Sequence, residues 1–140
     1  MYDKILVPYD FGNAFNNVPE QLAKLTNNSK DAKITVYHVI SENDLANYVR
    51  YQNKHFEEVT KEKEADMKPF IQKLEERDLN YEIVFTTGPA TKEILDELEK
   101  NDYDVVVMSN KRSRIEIKHV LGHVTHKVAK RAHVPVLIVK

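Results

Sequence analysis

"VVVMSNKRSRIEIKHVLGHVT", residues 105–125, opens as a run of valines and closes as the start of a helix. Val105 to Met108 are apolar without alternation, which fits a strand covered on both faces, as in a parallel sheet. From Gly122 the pattern changes. Val124, Val128, Ala129 and Ala132 recur at helical spacing, with Lys127, Lys130 and Arg131 between them. This predicts a helix over 122–133 with the four apolar residues turned inward. A strand passing through a loop into a helix is one unit of an alternating α/β architecture. In many such folds that loop is glycine-rich and holds a phosphate against the helix N-terminus. Here Gly122 is the glycine that remains, and Lys111, Arg112 and Arg114 stand in the loop. Basic side chains bind phosphate directly in some sites; in others a charged loop is simply solvated, and the residues leave both readings open.

Four further apolar runs lie outward from this stretch: "KILVPY" (4–9), "KITVYHVI" (33–40), "YEIVF" (81–85) and "VPVLIV" (134–139), with "YDVVVM" (103–108) as the fifth strand of the set. "YEIVF" alternates, with Glu82 between Tyr81 and Ile83, and so belongs at a sheet edge. Helical patterns separate the runs. In "VPEQLAKLTNN" Leu22 and Leu25 share a face, Asn17 and Glu20 have capping-box spacing, and Pro19 is tolerable only in a first turn. An earlier start with a kink is an equally open reading. Residues 54–77 carry Phe56, Val59, Met67, Phe70 and Leu74 as one helical stripe, which Pro69 should bend. Residues 90–101 place Ile94, Leu95 and Leu98 on one face after a Gly88-Pro89 turn. Residues 41–54 read as the longest irregular stretch. The resulting β-α-β-α-β-α-β-α-β order predicts a doubly wound α/β fold: one domain over 1–140, with a parallel sheet and helices on both faces.

The composition narrows the function classes. Charged residues make up 31% of the chain and hydrophobic residues 41%, as in a globular protein. A formal net charge of −1 argues against wholesale binding to DNA or a membrane surface. The absence of cysteine excludes disulfides, thiolate catalysis and cysteine-ligated metals. No run reaches the roughly 18–20 apolar residues of a membrane span, and "MYDKILVPYD" lacks the features of a secretory signal, so the expected compartment is the cytoplasm.

Asp10 follows the first run. A haloacid dehalogenase-type phosphatase needs a second aspartate two residues on, where Gly12 stands, and a receiver domain needs an acceptor aspartate that "VFTTGP" lacks. A ribose or metal–phosphate contact and a plain turn aspartate remain. His119, His123 and His126 are spaced four and three apart and would share a face if all were helical. Gly122, the loop character of 115–121 and the lack of a carboxylate other than Glu116 speak against a metal site, and none is expected. His38 reads as a packed, hydrogen-bonded histidine at a strand end. No Ser/His/Asp order, paired carboxylates or Walker loop is present, so no catalytic residue is assigned.

"KILVPYD" (4–10), "YHVI" (37–40), "TTGPATKEIL" (86–95) and the stretch from Tyr103 to Lys140 together resemble the universal stress protein family, in order and at family spacing. The resemblance implies a five-stranded parallel sheet of order 3-2-1-4-5, a cytoplasmic protein of the stress response, and a homodimer paired through the strand at 134–139. Many members of that family bind ATP through Gly, two residues, Gly, nine residues, Gly and then Ser or Thr. Those positions fall here on Ser109, Arg112, Gly122 and His123, three of which depart from the pattern. The family's adenine and ribose contacts fall on Pro8, Tyr9, Asp10 and Val39, and its contacts after the last glycine on Val124 and Thr125. Met108 and Lys111 complete the candidate nucleotide set. An intact adenosine half beside an altered phosphate half implies a non-catalytic regulatory protein with weak or no ATP binding and a protein partner that the sequence does not name. The alternatives are a sensor of ATP, AMP or a cyclic dinucleotide, and, third, a slow ATPase.

Overall fold

The computed structural model describes residues 2–109 and 122–140. Strands β1 (Lys4–Pro8), β2 (Lys33–Ile40), β3 (Tyr81–Thr87), β4 (Val105–Ser109) and β5 (Val136–Val139) form one parallel sheet in the order β3-β2-β1-β4-β5. The helices are α1 (Val18–Thr26), α2 (Glu42–Gln52), α3 (Phe56–Asp66), α4 (Lys68–Glu76), α5 (Ala90–Lys100) and α6 (His123–Arg131).

Successive strand residues point to opposite faces, and the central strands are buried on both. Ile5 and Val7 of β1, Ile34 and Val36 of β2, and Val105 and Val107 of β4 pack with Val18 and Leu22 of α1 and with Phe70, Ile71 and Leu74 of α4. Leu6, Tyr37, Val106 and Met108 point the other way, against Ile94 and Leu98 of α5 and Val128 of α6. The sheet is therefore wound on both faces. Each fully buried aliphatic side chain contributes roughly 1.5–3 kcal/mol relative to exposure. β3 is half-buried along its whole length, as its edge position requires.

Four local expectations need correction. Residues 41–54 are not irregular, because α2 occupies most of them. The Ser41 hydroxyl accepts from the Asp44 amide at 3.1 Å, and Asn53 closes the helix in the left-handed region at φ 51°. α2 buries no residue, so its stability is local, and an apolar stripe was never there to be read. Residues 54–77 are not one bent helix but α3 and α4. They meet at Met67, which is fully buried, and Pro69 lies in the first turn of α4, where its missing amide costs least.

The capping box at Asn17 is not made. Asn17 holds the N-cap position of α1 without a side-chain bond there, and its Nδ2 instead donates to the Lys140 carbonyl at 2.7 Å. Pro19 does fall in the first turn of α1. On α6 the inward arc is Val124, Thr125, Val128 and Ala132, whereas Ala129 is exposed. At about 100° per residue position 129 lies just past the edge of that arc.

Candidate functional site

The strand order reverses between β1 and β4, and in open parallel sheets the crevice beyond the carboxyl ends at such a reversal is where ligands sit. Here that crevice is a cleft of about 290 Å³. Its floor comes from the ends of β1, β2 and β4. The backbone there is tied together: the Tyr9 amide donates to the Tyr37 carbonyl at 2.8 Å, and Asn13 Nδ2 donates to the Ser109 carbonyl at 2.7 Å. The Ser109 hydroxyl donates to the Ala14 carbonyl. Asp10 Oδ1 accepts from the Gly12 amide at 2.8 Å, so this carboxylate does form a turn, yet it is exposed and lines the cleft.

Of the sequence-derived candidates, Pro8, Tyr9 and Asp10 line the cleft from the end of β1, Val39 from β2, Met108 and Ser109 from β4, and Val124 and Thr125 from α6. Gly122 and His123 are not among the lining residues. Gly122 is the buried N-cap of α6, in extended backbone at φ −63° and ψ 157°, and His123 is exposed on the first turn. Lys111, Arg112 and Arg114 lie outside the described residues, as does His119. Among the described residues no group of three His, Asp or Glu stands together to hold a metal ion.

The side of the cleft that sequence reasoning missed is built by Phe11, Asn13, Ser41, Asp44 and Lys63. A signal for part of it was present. Ser41 and Asp44 have Ser-x-x-Asp spacing at the end of a strand, which marks a helix N-terminus at the carboxyl edge of the sheet. Lys63 reaches over from α3; its Nζ lies 4.9 Å from the Phe11 ring centroid and 5.7 Å from that of Tyr48. Cation–π contacts of this kind position an ammonium without neutralising it.

Aromatic packing makes the β1 and β2 side rigid. Tyr9 stacks on Phe15 at 4.5 Å and meets Phe11 edge-on at 5.0 Å, while Phe11 meets His38 edge-on at 4.8 Å. His38 Nδ1 lies 2.8 Å from the Tyr9 carbonyl. Burial holds the His38 pKa below its ordinary value; the Tyr9 hydrogen bond, Asp10 and Asp44 oppose this, and Lys63 adds to it. Burial, with Glu97 and Glu93 nearby, pushes the Tyr37 hydroxyl up to about 12, so Tyr37 stays protonated. The cleft therefore presents neutral hydrogen-bonding groups, two carboxylates and one lysine among its described residues, on a largely fixed wall.

Comparison with known proteins places this geometry in context. The model of the universal stress protein family matches residues 1–140. Universal stress protein MJ0577 of Methanocaldococcus jannaschii is 24% identical over 157 residues, covering 100% of this chain and 96% of that protein. A solved structure of MJ0577 superimposes with a TM-score of 0.81 at 25% identity, covering 100% of this chain and 96% of the other. Universal stress protein UspA of Lactobacillus plantarum gives a TM-score of 0.77 at 17% identity, covering 99% and 98%. A universal stress protein family member of Arabidopsis thaliana, solved with AMP bound, gives 0.63 at 23% identity, covering 99% and 91%.

Proposed function

The chain belongs to the universal stress protein family, and from that premise we propose that it is a cytoplasmic, non-catalytic regulatory protein of the stress response whose cleft takes an adenosine-bearing ligand and binds ATP weakly or not at all. The observation that carries this reading is the cleft itself. It lies at the strand-order reversal and gathers Pro8, Tyr9, Asp10 and Val39, the positions where the family resemblance sets the base and ribose contacts, together with Val124 and Thr125, where it sets the contacts after the last glycine. The phosphate side differs. Ser109 stands where the family motif has its first glycine, and its hydroxyl is directed to the Ala14 carbonyl; Arg112 and His123 replace a glycine and a hydroxyl residue. The Arabidopsis relative with AMP bound supports a nucleotide with a small phosphate load.

A regulatory role is favoured over turnover because two of the cleft's hydroxyls serve structure: Ser41 Oγ accepts from the Asp44 amide and Ser109 Oγ donates to the Ala14 carbonyl. No helix among the described residues is long and apolar enough to cross a membrane, which is compatible with the cytoplasmic reading. Assembly as a homodimer through β5 belongs to the same proposal. β5 pairs with β4 alone among the described residues, and Val136, Leu137 and Ile138 are half-exposed. Exposed apolar edges of this kind are generally covered.

Isothermal titration with adenosine, AMP and Mg-ATP tests the ligand reading. Adenosine and AMP are expected to bind measurably and Mg-ATP weakly or not at all. A micromolar or tighter dissociation constant for Mg-ATP overturns the ATP part, and Arg112→Ala then shows whether that side chain holds the phosphates. Silence toward all three overturns the adenosine reading itself.

A further inference from the structure

Charge is unevenly placed along this chain. Of its 22 Asp and Glu residues, all but Asp104 and Glu116 precede Tyr103, and the stretch from Gly122 to Lys140 has none. That stretch contains α6, and the cations of α6 fall together. Lys127, Lys130 and Arg131 are neighbours at i, i+3 and i+4 on one flank of the helix. Lys130 and Arg131 are exposed and Lys127 is half-buried. Among the described residues none of the three forms an ion pair; the lysines paired there are Lys24, Lys33, Lys54 and Lys92. The neighbouring helix α5 does not neutralise them. Its Glu93 and Asp96 pair with Lys92, and its Glu97 accepts from Asn101 Nδ2 and the Tyr103 hydroxyl. Cations in a last turn complement the helix dipole. Like charges three and four residues apart repel, however, and an anionic surface laid along this flank would relieve that repulsion.

The surroundings narrow the kind of anion. Gly122–Lys140 has no Phe, Tyr or Trp on which a nucleic-acid base could stack, and the chain as a whole carries −1. The exposed apolar residue of α6 is Ala129, which is too small to anchor the helix in a lipid interface. An acidic protein segment meets neither objection. We propose that the Lys127, Lys130 and Arg131 flank of α6 is a docking surface for an acidic helix whose carboxylates recur at the same three- and four-residue spacing. The planar fork of Arg131 fixes orientation and the two lysines add charge. This inference rests on the regulatory reading above and deepens it by naming where a protein partner docks and its chemistry; the ligand of the cleft plays no part in it.

The test uses two synthetic helical peptides of identical composition. One carries its glutamates on a single face at i, i+3, i+4 and i+7, and the other carries them spread around the helix. Fluorescence anisotropy at low ionic strength is expected to show the wild-type chain binding the one-faced peptide about tenfold more tightly, the scale of two or three exposed ion pairs. Amide NMR should place the shifts on residues 126–131. Lys130→Gln combined with Arg131→Gln should abolish the preference. Lys61→Gln combined with Lys68→Gln removes the same charge from two exposed positions on α3 and α4 and should retain it. Equal binding of the two peptides, binding of neither, shifts away from α6, or equal losses in both double variants overturns the surface. Tighter binding of a single-stranded DNA oligonucleotide or of anionic phospholipid vesicles overturns the choice of partner. Steady hydrolysis of Mg-ATP by the wild-type chain, measured in parallel, would instead overturn the regulatory reading, and this inference with it.

Discussion

Asp104, just before β4, joins the start of two strands with one carboxylate: its Oδ2 accepts from the amides of Asp3 and Lys4, each at 2.9 Å. Those two donors hold its carboxyl below the ordinary range. Because the folded pKa is depressed, the unfolded chain takes up the proton first. The stabilisation is complete above the unfolded value of about 3.9 and is lost as pH falls below it. Asp104 is exposed, so solvent screening keeps the effect small. Asp104→Ala should cost about 0.5–1 kcal/mol at neutral pH, measured by urea denaturation, with the difference from wild type shrinking as pH falls below about 4. His38 also has a depressed pKa, here because burial disfavours its charged form, while Asp10 and Asp44 favour that form and Lys63 opposes it. Its contribution is present above the unfolded value of about 6.5 and is lost as pH falls from there toward the folded value. The wild-type unfolding midpoint should therefore decline between neutral pH and pH 5, and His38→Asn should flatten that decline. An equal slope in both proteins removes His38 as the cause.

At the scale of the element, α2 is the informative case. It buries none of its residues, yet Ser41 and Asp44 at its start line the cleft, and Tyr48 contacts Lys63 of α3. A helix held mainly by its caps opens locally at low cost. In hydrogen exchange the amides of α2 should exchange well before those of β1, whose Ile5, Leu6 and Val7 are fully buried. Ser41→Ala should weaken α2 by about 1 kcal/mol, accelerating exchange there while the global midpoint hardly moves. Protection in α2 equal to that in β1 would contradict this. The sequence reading missed α2 because it looked for periodic apolar residues, and a helix that buries nothing has none; the cap residues were the only trace. α3 and α4 were legible as helical, but their separation was not. Whether a proline bends a helix or begins a new one depends on how the junction before it, here the buried Met67, is packed.

At the scale of the whole molecule the open question is the β5 edge. Val136 and Ile138 both lie in the strand at 134–139 that the family resemblance set against a partner subunit. In the structure Val136 packs against the chain's own core beside α5 and α6, so a charge at that position would disturb the fold as well. Ile138 is half-exposed and belongs to neither core cluster, which makes it the cleaner probe. Light scattering coupled to size exclusion should give about twice the 16.3 kDa chain mass for the wild type and a shift toward monomer for Ile138→Lys, with the unfolding midpoint of the monomer retained. A wild-type mass of one chain across micromolar concentrations rules out the dimer.

The sequence by itself determined the sheet. Unbroken Val and Ile runs such as 105–108 have no stable place except between two covered layers, and alternation with helical segments dictates parallel strands, so five strands and the wound fold follow from local pattern. The edge character of β3 was visible in the alternation of Tyr81, Glu82 and Ile83. The β1 side of the cleft was legible through short motifs. How the rest of the lining comes together was decided only by tertiary structure. Phe11, His38 and Lys63 come from a loop, a strand and a helix with no spacing rule between them, and the ring of His38 takes its tautomer from a carbonyl 29 residues away. Strand and helix periodicities report which face a residue takes toward its immediate neighbours. Which distant side chains then meet across a crevice depends on how whole helices pack over the strand ends, and that geometry exists only once the chain has folded.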